Sequence, residues 1–323
     1  MISIALPVRN GANYLDEALR SVASQTYQDY ELVICDNASD DATPEIADSY
    51  ARSDPRIRVI RTHSPVTQQE NFTRAITNSR GPWVKLLCHD DLLMADCLTR
   101  IAACIRTLSD QNVVLIRNGE TWLFDDRTTG NPAPSRGPRI WDGRVALRAM
   151  AFGRGPILPA TTTATVRRDA FMRHGPFDGR FMHFDTFYWC ELLVTYDMVC
   201  LDEPLTVNRI HNEQVAVRSR RILASVVENQ VFWTQFVRDH AETVGFNRLE
   251  AALLKRRAVG QLASAASIAY FCNGPIGLGR VLRRSPIKWS PFLPPLLIRS
   301  FLATRSKVKR GRAAGISAHQ LFP

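Results

Sequence analysis

One feature of this chain constrains its fold more than any other. In the first hundred residues, short apolar runs alternate with segments of helical periodicity, at intervals too long for hairpins. Residues 2–6 read as a buried strand closed by Pro7. Asn13 is placed to cap a helix in which Leu15, Ala18, Leu19 and Val22 recur at helical spacing. Residues 31–35 form a second apolar run, and Thr43-Pro44-Glu45 reads as a helix start: a capping hydroxyl, a proline at the first helical position and an acid at the positive helix end. Residues 57–60 and 84–87 are further strands, with a helical pattern over 72–76 between them. Strands separated by helices of this length pair in parallel as βαβ units. Open parallel sheets bind ligands beyond the carboxyl ends of their strands. That rule selects four segments: 7–10, 36–41, 61–69 and 89–91.

Further on, residues 95–108 are helical in pattern, 113–116 read as a strand and 130–138 as a loop rich in Gly, Asn and Pro. After Arg221 the pattern turns helical, with Ile222, Val226, Val227, Val231, Phe232 and Phe236. We therefore divide the chain into an α/β domain over 1–218 and a helical, basic region over 219–323. Charge follows the same division. Residues 1–250 carry 28 basic and 31 acidic side chains, net −3, whereas residues 251–323 carry 13 basic ones and no acid. With 45% hydrophobic and 22% charged residues, the chain of 323 residues can bury a large core, which excludes a disordered tail or a disulfide-stapled miniprotein. Seven cysteines without a CxxC pair read as buried free thiols of a reducing compartment. The first residues predict no leader peptide, and the uncharged stretch 258–279, rich in Ala, Ser and Gly, is not read as a membrane span.

Four clusters carry groups able to do chemistry. Asp90 and Asp91 leave the end of an apolar strand; such a pair holds a divalent cation together with phosphate oxygens, or serves as ordinary loop acids. Asp36, at the end of another strand, is placed to accept from a base imide N–H or a ribose hydroxyl, or to close a turn. Asp185 opens an aromatic helix-like run, as a general base or an N-terminal helix acid. His211 follows a strand-like run, where a lone histidine is more often a hydrogen-bonded structural residue than a ligand.

Taken in order, these segments resemble glycosyltransferase family two. The resemblance rests on Leu6-Pro7-Val8-Arg9-Asn10-Gly11, on residues 19–27 and 30–43, on the segment around Asn71, on Gly81-Pro82-Trp83-Val84 and on His89-Asp90-Asp91. Gly175-Pro176-Phe177-Asp178, Asp185 four residues before Trp189, residues 201–205 and Arg209-Ile210-His211 continue it, so that it covers about residues 1–215. It implies a GT-A fold, a Rossmann-like and mostly parallel sheet flanked by helices, and inverting transfer of a sugar from a UDP- or dTDP-sugar to an acceptor hydroxyl.

By the same resemblance, Pro7, Arg9, Asn10, Asp36, Asn71 and Asp90 line the donor site. Asp90, Asp91 and His211 hold Mn²⁺ or Mg²⁺, Asp91 most directly, and Asp185 is the catalytic base. Three positions depart from the family pattern: His89 stands for the first acid of the metal motif, Phe184 for an acid before the base, and Glu191 for a later arginine. The acceptor implied is a glycan or lipid-linked sugar. The basic tail, with apolar residues beside its charges, predicts peripheral attachment to an anionic surface on the inner face of the cytoplasmic membrane. Two other classes remain at this point: a nucleotide- or nucleic-acid-binding protein using the basic tail, against which stands the lack of a nucleic-acid-binding signature, and a noncatalytic interaction module.

Overall fold

Every residue of the first strand, β1 (Ile2–Val8), is buried, as a parallel strand covered by helices on both faces requires. It opens the series α1 (Leu15–Ala23), β2 (Tyr30–Asp36), α2 (Thr43–Ser53), β3 (Ile57–Arg61), α3 (Gln68–Thr77) and β4 (Trp83–Leu86). There follow β5 (Leu92–Leu93), α4 (Cys97–Thr107), β6 (Val113–Phe124), β7 (Arg127–Thr129), β8 (Arg139–Trp141) and α5 (Gly143–Ala151). A 3₁₀ turn (Thr161–Thr163), β9 (Ala164–Arg167), α6 (Arg168–His174), α7 (Phe184–Leu193) and β10 (Asp197–Ile210) complete the first of two units, Met1–His211 and Asn212–Pro323. This computed structural model describes residues 1–108, 112–124, 127–129, 137–152, 158–179, 183–211, 222–254, 256, 263, 267 and 293–313. The expected boundary at 218/219, Cys272, and most of the segments 130–138 and 258–279 lie outside them.

The sheet runs β3-β2-β1-β4-β9-β6-β10-β5, with β7 on β6 and β8 on β10. β1 pairs in parallel with β2 and β4, and β2 with β3, as the βαβ pattern requires. Beyond β4 the sheet becomes mixed, because β9 enters antiparallel between β4 and β6. β6 and β10 then pair in parallel, and both extend well past the short apolar runs that mark them in the sequence. On one face Leu15, Leu19 and Val22 of α1 pack with Ile4, Leu6, Leu32 and Ile34 into a shared core. Each such side chain contributes about 1.5–3 kcal/mol by leaving water, so Leu19→Asp would break this layer.

Two helix starts differ from the sequence reading. The cap of α1 is Tyr14, without a side-chain bond, and Asn13 lies one residue outside; the Leu15 amide donates to Gly11 O instead. The cap of α2 is Ala42. Thr43 is already helical: its amide donates to Asp41 Oδ1, and its hydroxyl accepts from the Gly11 amide at 2.8 Å. The hydroxyl expected to cap a helix thus ties the loop after β1 to the loop after β2. Five cysteines are buried thiols, but Cys88 is only half-buried and lies at the site described below.

In the second unit, α8 (Ile222–Val244) buries Phe232, Phe236 and Val237, in line with the periodicity after Arg221. Here α9 (Leu293–Ala313) starts just before Pro294 and Pro295. In the sequence, Pro294 and Pro295 within the uncharged run 289–298 read as forbidding a continuous helix. They fall instead in the first turn, where a missing N–H has no helical partner to lose. Thr304 and Val308, four residues apart, are buried, whereas Ile298 and Leu302, also four apart, are exposed. Among the described residues no helix is long and apolar enough to cross a membrane.

Candidate active site

The loops leaving β1, β2 and β4 meet at the carboxyl edge of the parallel strands, and polar side chains lock them together. Asn37 N donates to Val8 O. Asn10 N donates to Ser39 Oγ, and Asn10 Oδ1 accepts from Asp40 N. Ala12 N donates to Asp41 Oδ2. Both loops use left-handed backbone, at Asn10 (φ 51°) and at Ala38 (φ 49°). Asparagine tolerates this conformation, whereas an alanine there costs roughly 1–2 kcal/mol. Asp36 Oδ1, accepting from Ser39 N at 3.1 Å, closes the turn that holds Ala38 in place. Gly11 is needed for a different reason. A Cβ there would lie 2.6 Å from both His89 Cδ2 and Val8 Cγ2, so any side chain would force the β1 and β4 loops apart.

Asp36 is buried, with Arg61 Nε 3.4 Å from its Oδ2. Asn71, also buried, donates from its amide to Cys35 O at 2.9 Å and to Val8 O at 3.4 Å, so it braces the ends of β1 and β2 from beneath. Pro7 is buried within β1 opposite Cys35, and Arg9 and Asn10 are exposed beyond the strand end.

The β4 loop brings Cys88, Asp90 and Asp91 together, with one ligand atom from each within 4.8 Å of the others. We expected His89 to occupy the place of the first acid. Its ring packs instead against Gly11, and the thiol of Cys88 faces the carboxylates. Asp91 is the buried member. Its Oδ1 accepts from Arg209 N at 2.9 Å and its Oδ2 from the Thr162 hydroxyl. Burial, reinforced by the charge of Asp90, pushes its pKa up to about 7. Asp90 Oδ2 lies 3.0 Å from His211 Nε2, and both side chains are about 15% exposed, at 14% and 16%. His211 stacks on Tyr14, over whose ring Arg209 also lies, and its Nδ1 is buried without a hydrogen-bond partner.

These residues fit a divalent cation. The two carboxylates suit Mg²⁺ or Mn²⁺, and the His211 imidazole, 3.0 Å from Asp90, is of a type that Mn²⁺ also accepts. Two carboxylates this close, one of them buried, concentrate negative charge of the kind that a cation relieves. Asp90 and His211 are the more accessible side chains of this group, and Asp91 the more enclosed one.

Asp185 stands near the same cluster, on a different element. It lies in the first turn of α7, whose cap is His183, so the carboxylate is not itself the cap. Its Oδ2 accepts from the Thr161 hydroxyl at 2.6 Å, and its Oδ1 from Thr186 N at 2.7 Å. Cys88 registers how near it stands: burial and then the carboxylates of Asp91, Asp90 and Asp185 all raise its thiol pKa. Phe184, where the family pattern has an acid, is buried against Phe72 and Phe177, in surroundings that would not accept a carboxylate. Glu191 lies two turns further along α7.

Sequence reasoning missed two contributors. Lys85 in the middle of β4 is fully buried, and its Nζ donates to Asn118 Oδ1 at 2.7 Å and to Thr162 O at 2.6 Å. Thr161 and Thr162 join the turn to Asp185 and Asp91. Three consecutive hydroxyls ahead of an apolar strand were the available signal for them.

The sequence model of the family described as Glycosyl transferase family 2 matches residues 3–175. An uncharacterized glycosyltransferase of Rickettsia prowazekii is 30% identical over 243 residues, which is 74% of this chain and 72% of the relative. A match to an uncharacterized protein of Sinorhizobium fredii is 34% identical over 118 residues, but takes in 13% of that protein's length. Two solved structures share the fold at 17% identity. TarS of S. aureus in complex with UDP has a TM-score of 0.56 over 96% of this chain and 91% of that one. The mannosyltransferase PcManGT of Pyrobaculum calidifontis, in complex with GDP-Man and Mn²⁺, has a TM-score of 0.57 over 93% and 86%. The strand-end loops, the acidic cluster and the ordered sequence match agree: the chain belongs to glycosyl transferase family 2, and it is a glycosyltransferase of GT-A fold.

Proposed function

We propose that this enzyme transfers a sugar from a uridine or thymidine diphosphate sugar to an acceptor hydroxyl, with inversion at the anomeric carbon. The observation that carries the reading is the convergence of Asp90, Asp91, His211 and Asp185 at one edge of the sheet. Asp36, at the end of β2, is the acceptor suited to an imide N–H, which uracil and thymine both offer. Arg9 and Asn10 lie beyond the adjacent strand end, and Asn71 sets the spacing of the two strands. The complexes of the structural neighbours, with UDP and with GDP-Man and Mn²⁺, support a nucleotide-sugar donor class and a divalent cation.

In this reading Asp185 removes the proton of the acceptor hydroxyl as its oxygen attacks the anomeric carbon. The bond from that carbon to the diphosphate oxygen breaks on the opposite face, and the electron pair leaves with the diphosphate. A single displacement inverts the configuration and needs no covalent enzyme intermediate. Asp90, His211 and Asp91 would hold the cation, which when bound neutralises charge on the leaving diphosphate. Release of nucleoside diphosphate from a panel of UDP-, dTDP- and GDP-sugars, with Mn²⁺ and with EDTA, tests the reading. A uridine or thymidine donor should be turned over only with metal; release from GDP-sugars alone would overturn the base assignment.

We also propose that the second unit docks on the anionic inner face of the cytoplasmic membrane, where a lipid-linked acceptor would be presented. On α9, exposed Ile298 and Leu302 stand beside Arg299 and Arg305, and residues 251–323 contain no acid. Each basic residue near such a surface contributes about 1 kcal/mol. Sedimentation with phosphatidylglycerol vesicles should fall with salt and with deletion of residues 286–323. Equal sedimentation with neutral phosphatidylcholine vesicles would contradict it.

A further inference from the structure

Asp91 and Asp185 lie 94 positions apart in the sequence, yet one short turn holds both. On a 3₁₀ turn, consecutive side chains diverge by about 120°, so neighbouring residues can serve opposite sides of a site. Thr161 and Thr162 do so. The hydroxyl of Thr161, half-buried, donates to Asp185 Oδ2. The hydroxyl of Thr162, 1% exposed, donates to Asp91 Oδ2 and accepts from Cys88 N at 3.1 Å. The turn itself is anchored twice. Thr163 N and Oγ1 both donate to Ala160 O at 2.9 Å, and Lys85 Nζ, from the middle of β4, donates to Thr162 O.

Burying a lysine completely is costly unless its charge is well solvated by the protein. Here that solvation comes from Asn118 Oδ1 and a carbonyl of the turn. Asn118 in turn donates to Gly119 O and to Thr206 Oγ1. A chain of polar contacts therefore runs from β10 through β6 and β4 to the turn, beneath the site.

We propose that the turn Thr161–Thr163, pinned by Lys85, is a positioning element for both halves of the reaction: Thr161 aims the Asp185 carboxylate, and Thr162 fixes the Asp91 loop on which the donor diphosphate rests. The inference rests on the reading of Asp185 as base and of Asp90 and Asp91 as the donor side. An Asp185 carboxylate with Oδ2 held by Thr161 and Oδ1 by Thr186 N keeps one orientation and still has lone pairs for an incoming hydroxyl. Loss of the Thr161 hydroxyl frees the carboxylate to rotate without touching the donor loops. Loss of the Thr162 hydroxyl leaves Asp91 with the Arg209 amide alone and the Cys88 amide without its acceptor, and does not touch the base.

The test separates the two arms in the full-length enzyme, with unfolding midpoints recorded for every variant. Binding is measured by titration of UDP in the presence of Mn²⁺, and turnover by release of nucleoside diphosphate from the donor found in the panel above. Thr161→Val should lower kcat at least tenfold with UDP affinity within twofold of wild type, and Thr161→Ser should restore it. Thr162→Val should weaken UDP binding at least fivefold, with Thr162→Ser close to wild type. Lys85→Met, which withdraws the anchor beneath both, should impair both readouts. Serine variants as impaired as the valine variants, or valine variants that lower both readouts in parallel, would overturn the proposal and leave the turn a packing element. Asp185→Asn is the control for the underlying reading. If it abolishes turnover while Thr161→Val does not, the positioning role fails and the base assignment stands; if it retains turnover, the base assignment fails.

Discussion

On the side of the site proposed to take the donor, residues arrive by leaving parallel strands at a common edge, and backbone amides and carbonyls do much of the holding. Val8 O accepts from Asn37 N, Gly11 N donates to Thr43, and Asn71 ties two strand ends together. On the opposite side Asp185 comes in on a helix, and its orientation depends on its own first turn and on one hydroxyl from a distant segment. The first construction is overdetermined and buried; the second is sparse and partly exposed. On this account, breaking the strand-end side should carry a large stability cost, whereas the Asp185 side should be alterable cheaply in stability and expensively in rate.

The sharpest way to break this comparison is to remove the charge expected to receive metal. Asp90→Asn should lower UDP affinity in Mn²⁺ at least tenfold and leave the much weaker affinity in EDTA unchanged, as read by calorimetry. An equal loss in both conditions would mean that Asp90 supports the loop and not a cation.

Next comes stability. Asn71→Leu leaves Cys35 O and Val8 O without their buried donor and should cost about 1–3 kcal/mol in urea unfolding. Thr161→Val, on the sparse side, should cost under about 1.5 kcal/mol. Equal costs would erase the contrast between the two sides.

A further effect concerns pH. In the metal-free enzyme Asp91 holds its proton up to about pH 7, because of burial and the neighbouring Asp90 charge. In the unfolded chain it ionises near the ordinary carboxylate value of about 4. Between those values the folded state binds more protons, so this group makes stability fall as pH rises from about 4 to about 7. Asp91→Asn in EDTA should flatten that slope in thermal unfolding curves. Parallel curves for the two proteins would remove Asp91 from the account.

What could be read from the sequence follows the same division. The βαβ order, the parallel strands β1 to β4 and the segments at their carboxyl ends rest on local periodicity, so Asp36, Asp90 and Asp91 were legible. Asp185 and His211 were singled out as candidates with an ordinary structural reading beside the functional one, and only the resemblance chose between them, since nothing local distinguishes a general base from a helix-turn acid. The link between Lys85 and Thr162 was not legible because it exists only across 77 positions of sequence, once β9 has threaded between β4 and β6. A lysine within a strand reads as an exposed residue until the fold supplies a carbonyl and an amide to solvate it. The helix starts at Asn13 and Thr43 were misread for a related reason: the Thr43 hydroxyl was taken by a neighbouring loop.

The most direct measurement pairs two readouts on one variant, Asp185→Asn. Turnover should fall by about two to four orders of magnitude, the scale of a lost general base, while UDP binding in Mn²⁺ stays within twofold of wild type. Near-normal turnover, or a loss of turnover that merely follows a loss of UDP binding, would contradict the account.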